Sequence, residues 1–302
     1  MFSHLNTLTL RASFVAGQEG RLPPYLGSTL RGLIGHCMRD FVCPTPHVKC
    51  HRCDIRHHCD YAQTFCSPGN EAGAVNPFVL RPLVRGKTDW QPGDRCTFDL
   101  TLIGDATRRA GLVLDVLQAM GERGWGAERL PFALESVIDP ARERLIYSSG
   151  KTWMRNLQPL PLNCSERAAT TVLVRFDTPV RILVNRKLCR SLSFPVLIHS
   201  IIRRLALLSQ AYSQHMIEWD QEGLLNEANT IQTVQQHWRY VDFERYSMNR
   251  AGNKLNLPAI EGWACFEGNL APFTPLLEAG ALLHAGKNST IGFGHFSVTY
   301  DR

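Results

Sequence analysis

The chain has 302 residues, 44% hydrophobic and 20% charged, an ordinary globular composition with room for about two domains at ~150 residues each. That excludes a disordered tail, a collagen-like chain and a coiled coil, and apolar stretches such as Ala110–Leu114 fall far short of the ~20 residues of a membrane helix. The 33 Lys and Arg against 27 Asp and Glu leave a charge of +6, a surplus compatible with a polyanionic partner.

Residues Leu5–Phe14 alternate, with Leu8, Leu10, Ala12 and Phe14 on one face and Thr7, Thr9, Arg11 and Ser13 on the other, which predicts a half-buried strand. After a Gly/Pro stretch, Leu30, Leu33, Ile34, Cys37, Met38 and Phe41 recur at helical spacing, with Ser28 as the N-cap. A cysteine- and histidine-rich insertion runs from Cys43 to about Cys66 and is bounded at 43–76. Phe78–Val84 follows as a strand that Pro82 restricts to a sheet edge. Cys96, Phe98, Leu100 and Leu102 alternate as a third strand. Val113, Val116, Leu117 and Met120 mark a second helix that Asp105 is placed to cap, and Leu130–Ile138 is the fourth strand.

The order repeats from about Thr170. Val172, Val174 and Phe176 form a strand, and Ser193 caps a helix with the stripe Phe194, Leu197, Ile198, Ile201, Leu205 and Leu208. Strands near His237–Tyr246 and Ile260–Glu267, a short helix around Phe273–Gly280 and a last strand with Phe296, Val298 and Tyr300 complete it. Each half sets a Gly-aromatic-Gly step before its final strand, Gly124-Trp125-Gly126 and Gly292-Phe293-Gly294. Shared order and position predict an α+β fold of tandem ferredoxin-like (βαββαβ) domains. The expected boundaries are 1–145, a linker at 146–169, and 170–302.

The Cys/His insertion has its own chemistry. Cys43, Cys50, Cys53 and Cys59 supply four thiols within 17 residues. Four soft ligands suit a structural zinc, with an iron–sulfur cluster as the competing reading, and a loop without a core gains its fold from a metal. No open coordination position is implied, so no catalytic metal is expected. The N-terminal run Met1-Phe2-Ser3-His4-Leu5 lacks a basic segment followed by an apolar run, so the expected location is the cytoplasm.

The run Leu283-His284-Ala285-Gly286-Lys287-Asn288-Ser289-Thr290-Ile291-Gly292-Phe293-Gly294 resembles the glycine-rich signature of the RAMP superfamily of CRISPR systems. Within it, the chain is most similar to the endoribonucleases that process CRISPR precursor RNA. Leu30-Arg31-Gly32-Leu33-Ile34-Gly35-His36, the cysteine cluster with Cys59-Asp60-Tyr61-Ala62, and Arg245-Tyr246-Ser247 extend the similarity over nearly the whole chain. The resemblance implies tandem ferredoxin-like domains, binding of CRISPR repeat and guide RNA, association with effector-complex subunits, and metal-independent cleavage in a prokaryotic cytoplasm. The alternative is a catalytically silent guide-RNA-binding subunit.

Glycines in this loop give RNA phosphates access to backbone N–H groups. Gly286, Gly292 and Gly294 are therefore candidate RNA contacts, with the cation Lys287 beside them. A nucleotide-binding P-loop is excluded, because Asn288 stands where Ser or Thr is needed and a helix precedes the loop. Arg31, Arg39 and Arg250 are further candidate phosphate contacts, as are Arg203, Arg204 and Lys254. His36 is the candidate acid/base. It stands off the apolar stripe on a polar face with Thr29, Gly32 and Arg39, and an imidazole titrates near neutrality. His284 and His295 flank the glycine loop as second choices.

Overall fold

The computed structural model describes residues 1–66, 75–246 and 254–301. It divides into two compact units, one of His4–Pro161 with Ala211–Gln214 and the other of Met1–Ser3, Leu162–Gln210 and His215–Arg302.

The first domain begins with β1 (Asn6–Ala16) and α1 (Gly27–Val42). The insertion holds the short helix α2 (Asp60–Phe65). Then come β2 (Phe78–Pro82), β3 (Arg95–Ile103), α3 (Ala110–Arg123) and β4 (Phe132–Asp139). The antiparallel sheet runs β2-β3-β1-β4, the order of a ferredoxin-like βαββαβ unit. As its proline requires, β2 lies at the edge. The inward residues Leu8, Leu10, Ala12 and Phe14 are buried and meet the α1 stripe from Leu30 to Met38. Trp125 of the Gly-Trp-Gly step is fully buried and stacks on Phe132 at 4.2 Å.

Three expectations change here. Ser28 does not cap α1, which starts at Gly27 with Leu26 in the cap position and no side-chain bond. Asp105 does not cap α3, because a 3-10 turn over Gly104–Arg109 comes first and Asp105 pairs with Arg108 at 3.4 Å. The expected linker contains short strands. β5 (Arg144–Ser148) and β6 (Lys151–Thr152) extend the sheet beyond β4, and β7 (Leu160–Pro161) pairs with the start of β1. These strands are short, so they leave almost no periodic signal in the sequence.

The second domain repeats the plan: β8 (Thr171–Phe176), α4 (Phe194–Ser213), α5 (Gln221–Ala228) and β9 (Gln232–Val241). The hairpin β10 (Glu244–Tyr246) and β11 (Lys254–Asn256) follows, then β12 (Ala259–Glu267), α6 (Thr274–Leu283) and β13 (Phe296–Tyr300). Its sheet runs β9-β12-β8-β13, the same permutation as the first. Unforeseen α5 is capped by Asp220, whose carboxylate accepts the Gly223 N–H at 2.8 Å.

Candidate functional site

His36 sits midway along α1 and is half-buried. Burial pushes its imidazole below the ordinary 6.5, and the Arg123 guanidinium pushes the same way, against Asp40 one helical turn on. Arg123, from the last turn of α3, is ion-paired with that Asp40 carboxylate. An open groove of about 350 Å³ between α1 and α3 is lined by Cys37, Asp40, Phe41, Ala119, Glu122 and Arg123. Phe41, expected in the core stripe, is 54% exposed at its rim.

The two α1 arginines turn toward the cysteine insertion. Arg31 lies 5.7 Å from the centre of the Phe65 ring, and Arg39 lies 6.0 Å from that of Tyr61. Arg39 also donates to the Pro46 carbonyl and bonds the Cys43 thiol, which raises its pKa. Gly35 lets Phe65 approach, since a Cβ there would sit 3.3 Å from its ring.

Cys43, Cys50, Cys53 and Cys59 line one small cavity of about 10 Å³. Even so, among the described residues no three His, Cys, Asp or Glu side chains converge to hold a metal ion. The expected zinc, or iron–sulfur cluster, is therefore not supported. The thiols have other partners: Cys43 meets Arg39, Cys53 meets the Thr45 hydroxyl at 3.6 Å, and Cys66 hydrogen-bonds Cys50. Burial and that contact push Cys66 up to about 12.

In the second domain the glycine loop links α6 to β13. Gly286, Gly292 and Gly294 have φ of 77°, 94° and 79°, a region that side chains disfavour. A Cβ at Gly294 would lie 1.9 Å from the Ala285 carbonyl oxygen, and one at Gly286 would lie 2.6 Å from that of Arg181. Their amides are already used. Gly286 donates to Ser200 Oγ at 3.1 Å, Lys287 to Arg181 O at 2.8 Å, Gly292 to Ser289 O at 3.0 Å and Gly294 to Pro179 O at 2.8 Å. The glycines thus permit a close-packed loop, rather than presenting the free N–H cradle that the sequence reading expected. The Lys287 side chain is exposed.

The flanking histidines and one arginine serve the loop. His284 is 2% exposed, with Nδ1 3.0 Å from the Phe293 carbonyl, and His295 Nδ1 lies 2.9 Å from Asp177. Arg204 is buried, and its Nε donates to the Leu283 carbonyl at 2.6 Å at the end of α6, a favourable place for a cation. It is not placed to meet a phosphate. Arg250 lies outside the described residues, as do the side chains of Arg245, Tyr246 and Lys254. Arg123 and Arg181 were missed because neither falls in a motif.

Residues 5–159 match the family AF_1859_N, described as an N-terminal domain, and residues 174–296 match the family described as CRISPR-associated endoribonuclease Cas6. An uncharacterized protein of Archaeoglobus fulgidus is 22% identical over 286 residues, 92% of each chain. Thermus thermophilus Cas6 superposes with a TM-score of 0.57 at 12% identity, covering 98% of this chain and 99% of that one. A Cas6–RT–Cas1–Cas2 complex gives a TM-score of 0.62 at 12% identity, over 98% of this chain and 46% of its own, so the chain spans about half of that relative. Such likeness establishes the fold. Tandem ferredoxin-like domains closing on a glycine-rich loop define the class, that of the RAMP proteins of CRISPR systems. Within that class, residues 5–159 belong to the family AF_1859_N and residues 174–296 to the CRISPR-associated endoribonuclease Cas6 family.

Proposed function

We propose that this protein cuts CRISPR precursor RNA at one phosphodiester within each repeat, by attack of the neighbouring 2′-hydroxyl on phosphorus. The 2′-O–P bond forms as the P–O5′ bond breaks, leaving a 2′,3′-cyclic phosphate and a 5′-hydroxyl. One proton leaves the 2′-oxygen and one reaches the 5′-oxygen, so the step requires no activated water. The observation that carries the reading is the match of residues 174–296 to the Cas6 endoribonuclease family.

His36 is the proposed acid/base. With a pKa held below 6.5 it is neutral at pH 7 and ready to accept the 2′-hydroxyl proton, a contribution of roughly 10²–10⁴-fold. Lys287, Arg31, Arg39 and Arg250 are proposed phosphate contacts, with Gly286, Gly292 and Gly294 shaping the loop that carries Lys287. Charge on the phosphorane is stabilised by cations set in place beforehand. Retention of the processed guide in the cytoplasm belongs to the same proposal. The relative that assembles as a Cas6–RT–Cas1–Cas2 complex supports association with other CRISPR subunits. Among the described residues no helix is long and apolar enough to cross a membrane.

The test is cleavage of repeat RNA by purified protein in EDTA. Cutting proceeds under chelation, stops when the nucleotide at the cut is 2′-deoxy, and is abolished by His36→Ala with RNA binding kept. Cleavage of the deoxy substrate would falsify the mechanism. A fully active His36→Ala variant would remove His36 from it.

A further inference from the structure

The second domain carries a basic hairpin that the reading so far leaves unused. Residues 181–190 are Arg-Ile-Leu-Val-Asn-Arg-Lys-Leu-Cys-Arg, four cations in ten positions without a carboxylate. Leu183–Val184 pairs with Lys187–Leu188. Asn185 and Arg186 turn the corner at φ of 49° and 64°, the left-handed pair that suits a two-residue hairpin. Arg186 and Lys187 stand exposed at its tip, and Arg190 lies 5.4 Å from the centre of the Tyr240 ring.

The base of this hairpin is fastened to the glycine loop. The Arg181 carbonyl accepts the Lys287 N–H at 2.8 Å, and only a glycine at 286 leaves room for that backbone to pass. The side chains of Arg181 and Lys287 therefore spring from adjoining strands of chain.

Arg181 is half-buried, and its Nε has no hydrogen-bond partner. Burial alone holds its pKa below the ordinary value, with no neighbouring carboxylate to oppose it. Several arginines elsewhere have a counter-ion: Arg11 meets Asp99 at 2.7 Å, Arg95 meets Glu135 at 2.8 Å and Arg109 meets Asp60 at 2.6 Å. Among the described residues Arg181, Arg186, Lys187, Arg190 and Lys287 have no such pair. A guanidinium partly withdrawn from water without an anion is costly until one arrives, and its fork fits a phosphate.

We propose that the hairpin is a phosphate-backbone site for RNA, in which Arg181 and Lys287 hold one phosphate and Arg186 and Lys187 guide the strand beyond it. This rests on the RNA-processing reading and extends it to residues outside the glycine motif. Specificity is not expected from it, because phosphate contacts fix register and orientation rather than sequence.

The test measures affinity of the full-length protein for a 2′-deoxy-blocked repeat RNA across a salt series. Each lost phosphate contact lowers the slope of log K against log salt by about 0.7–0.9. Arg181→Gln is expected to lower it by about one contact and the double variant Arg186→Gln/Lys187→Gln by one to two, each with weaker binding. Arg108→Gln, which removes the same charge from a surface arginine paired with Asp105, leaves the slope unchanged. The tip residues are exposed, so that double variant keeps its fold and remains a fair test if Arg181→Gln does not. If wild-type protein binds tightly and the tip variant keeps the full slope, the hairpin assignment is overturned while the RNA reading stands. If wild-type protein neither binds nor cuts the repeat, both fall.

Discussion

At the scale of single residues, the depressed pKa of His36 sets a pH signature. Its folded-state pKa lies below 6.5 because burial and Arg123 disfavour the imidazolium. As pH falls through 6.5 the unfolded chain therefore takes up protons that the folded chain refuses, and stability declines in the window between the two values. A His36→Gln variant should flatten that decline, which thermal unfolding at a series of pH values measures. The acidic limb of the cleavage rate should likewise lie below 6.5, and a limb centred above it would exclude His36 as the base. The position was legible from the helical stripe, which placed His36 off the core face. Its companions were not. Arg123 comes from another helix, and Arg39, which shares the polar face, reaches instead to Pro46 and Cys43.

At the scale of elements, most of the fold was legible, because long strands and helices with one apolar face impose a period of two or 3.6 on the sequence. β1, α1, β3, α3, α4 and β12 all carry it. The short strands do not, so the region expected as a linker conceals β6, β7 and most of β5. Ile146 of β5 is fully buried in the first core. Ile146→Ala should cost about 3 kcal/mol in denaturant unfolding, against nearly nothing for a residue in a free linker. The glycine loop was found by its composition but misread in its chemistry, since hydrogen-bond partners cannot be read from glycine count. Gly294→Ala places a Cβ on the Ala285 carbonyl at φ 79°. It should destabilise by at least about 2 kcal/mol, seen as a lowered Tm, whether or not RNA is present.

At the scale of the whole molecule, duplication was the strongest signal. Neither half alone would have fixed the topology, but two copies of one element order did, and both sheets adopt the same strand permutation. Ten cysteines spread over both domains offer a check. Burial raises Cys96 to about 12 and Cys164 to about 11, and Cys37 is also buried. Alkylation of native protein at neutral pH, mapped by mass spectrometry, should spare these three and label Cys53, Cys59 and Cys189. Protection of the insertion cysteines that a chelator reverses would reinstate the metal expectation.

The pairing of β7 with the first residues of β1 has a consequence of its own. Asn6 lies opposite Pro161 and Thr7 opposite Leu160, so the His4–Pro161 stretch of the first domain begins and ends side by side. A folding module with adjoining ends can be spliced into a foreign loop, or have its ends joined and a new opening cut elsewhere, with little loss of loop-closure entropy. The first domain is such a module save for Ala211–Gln214, a stretch that the chain returns to supply.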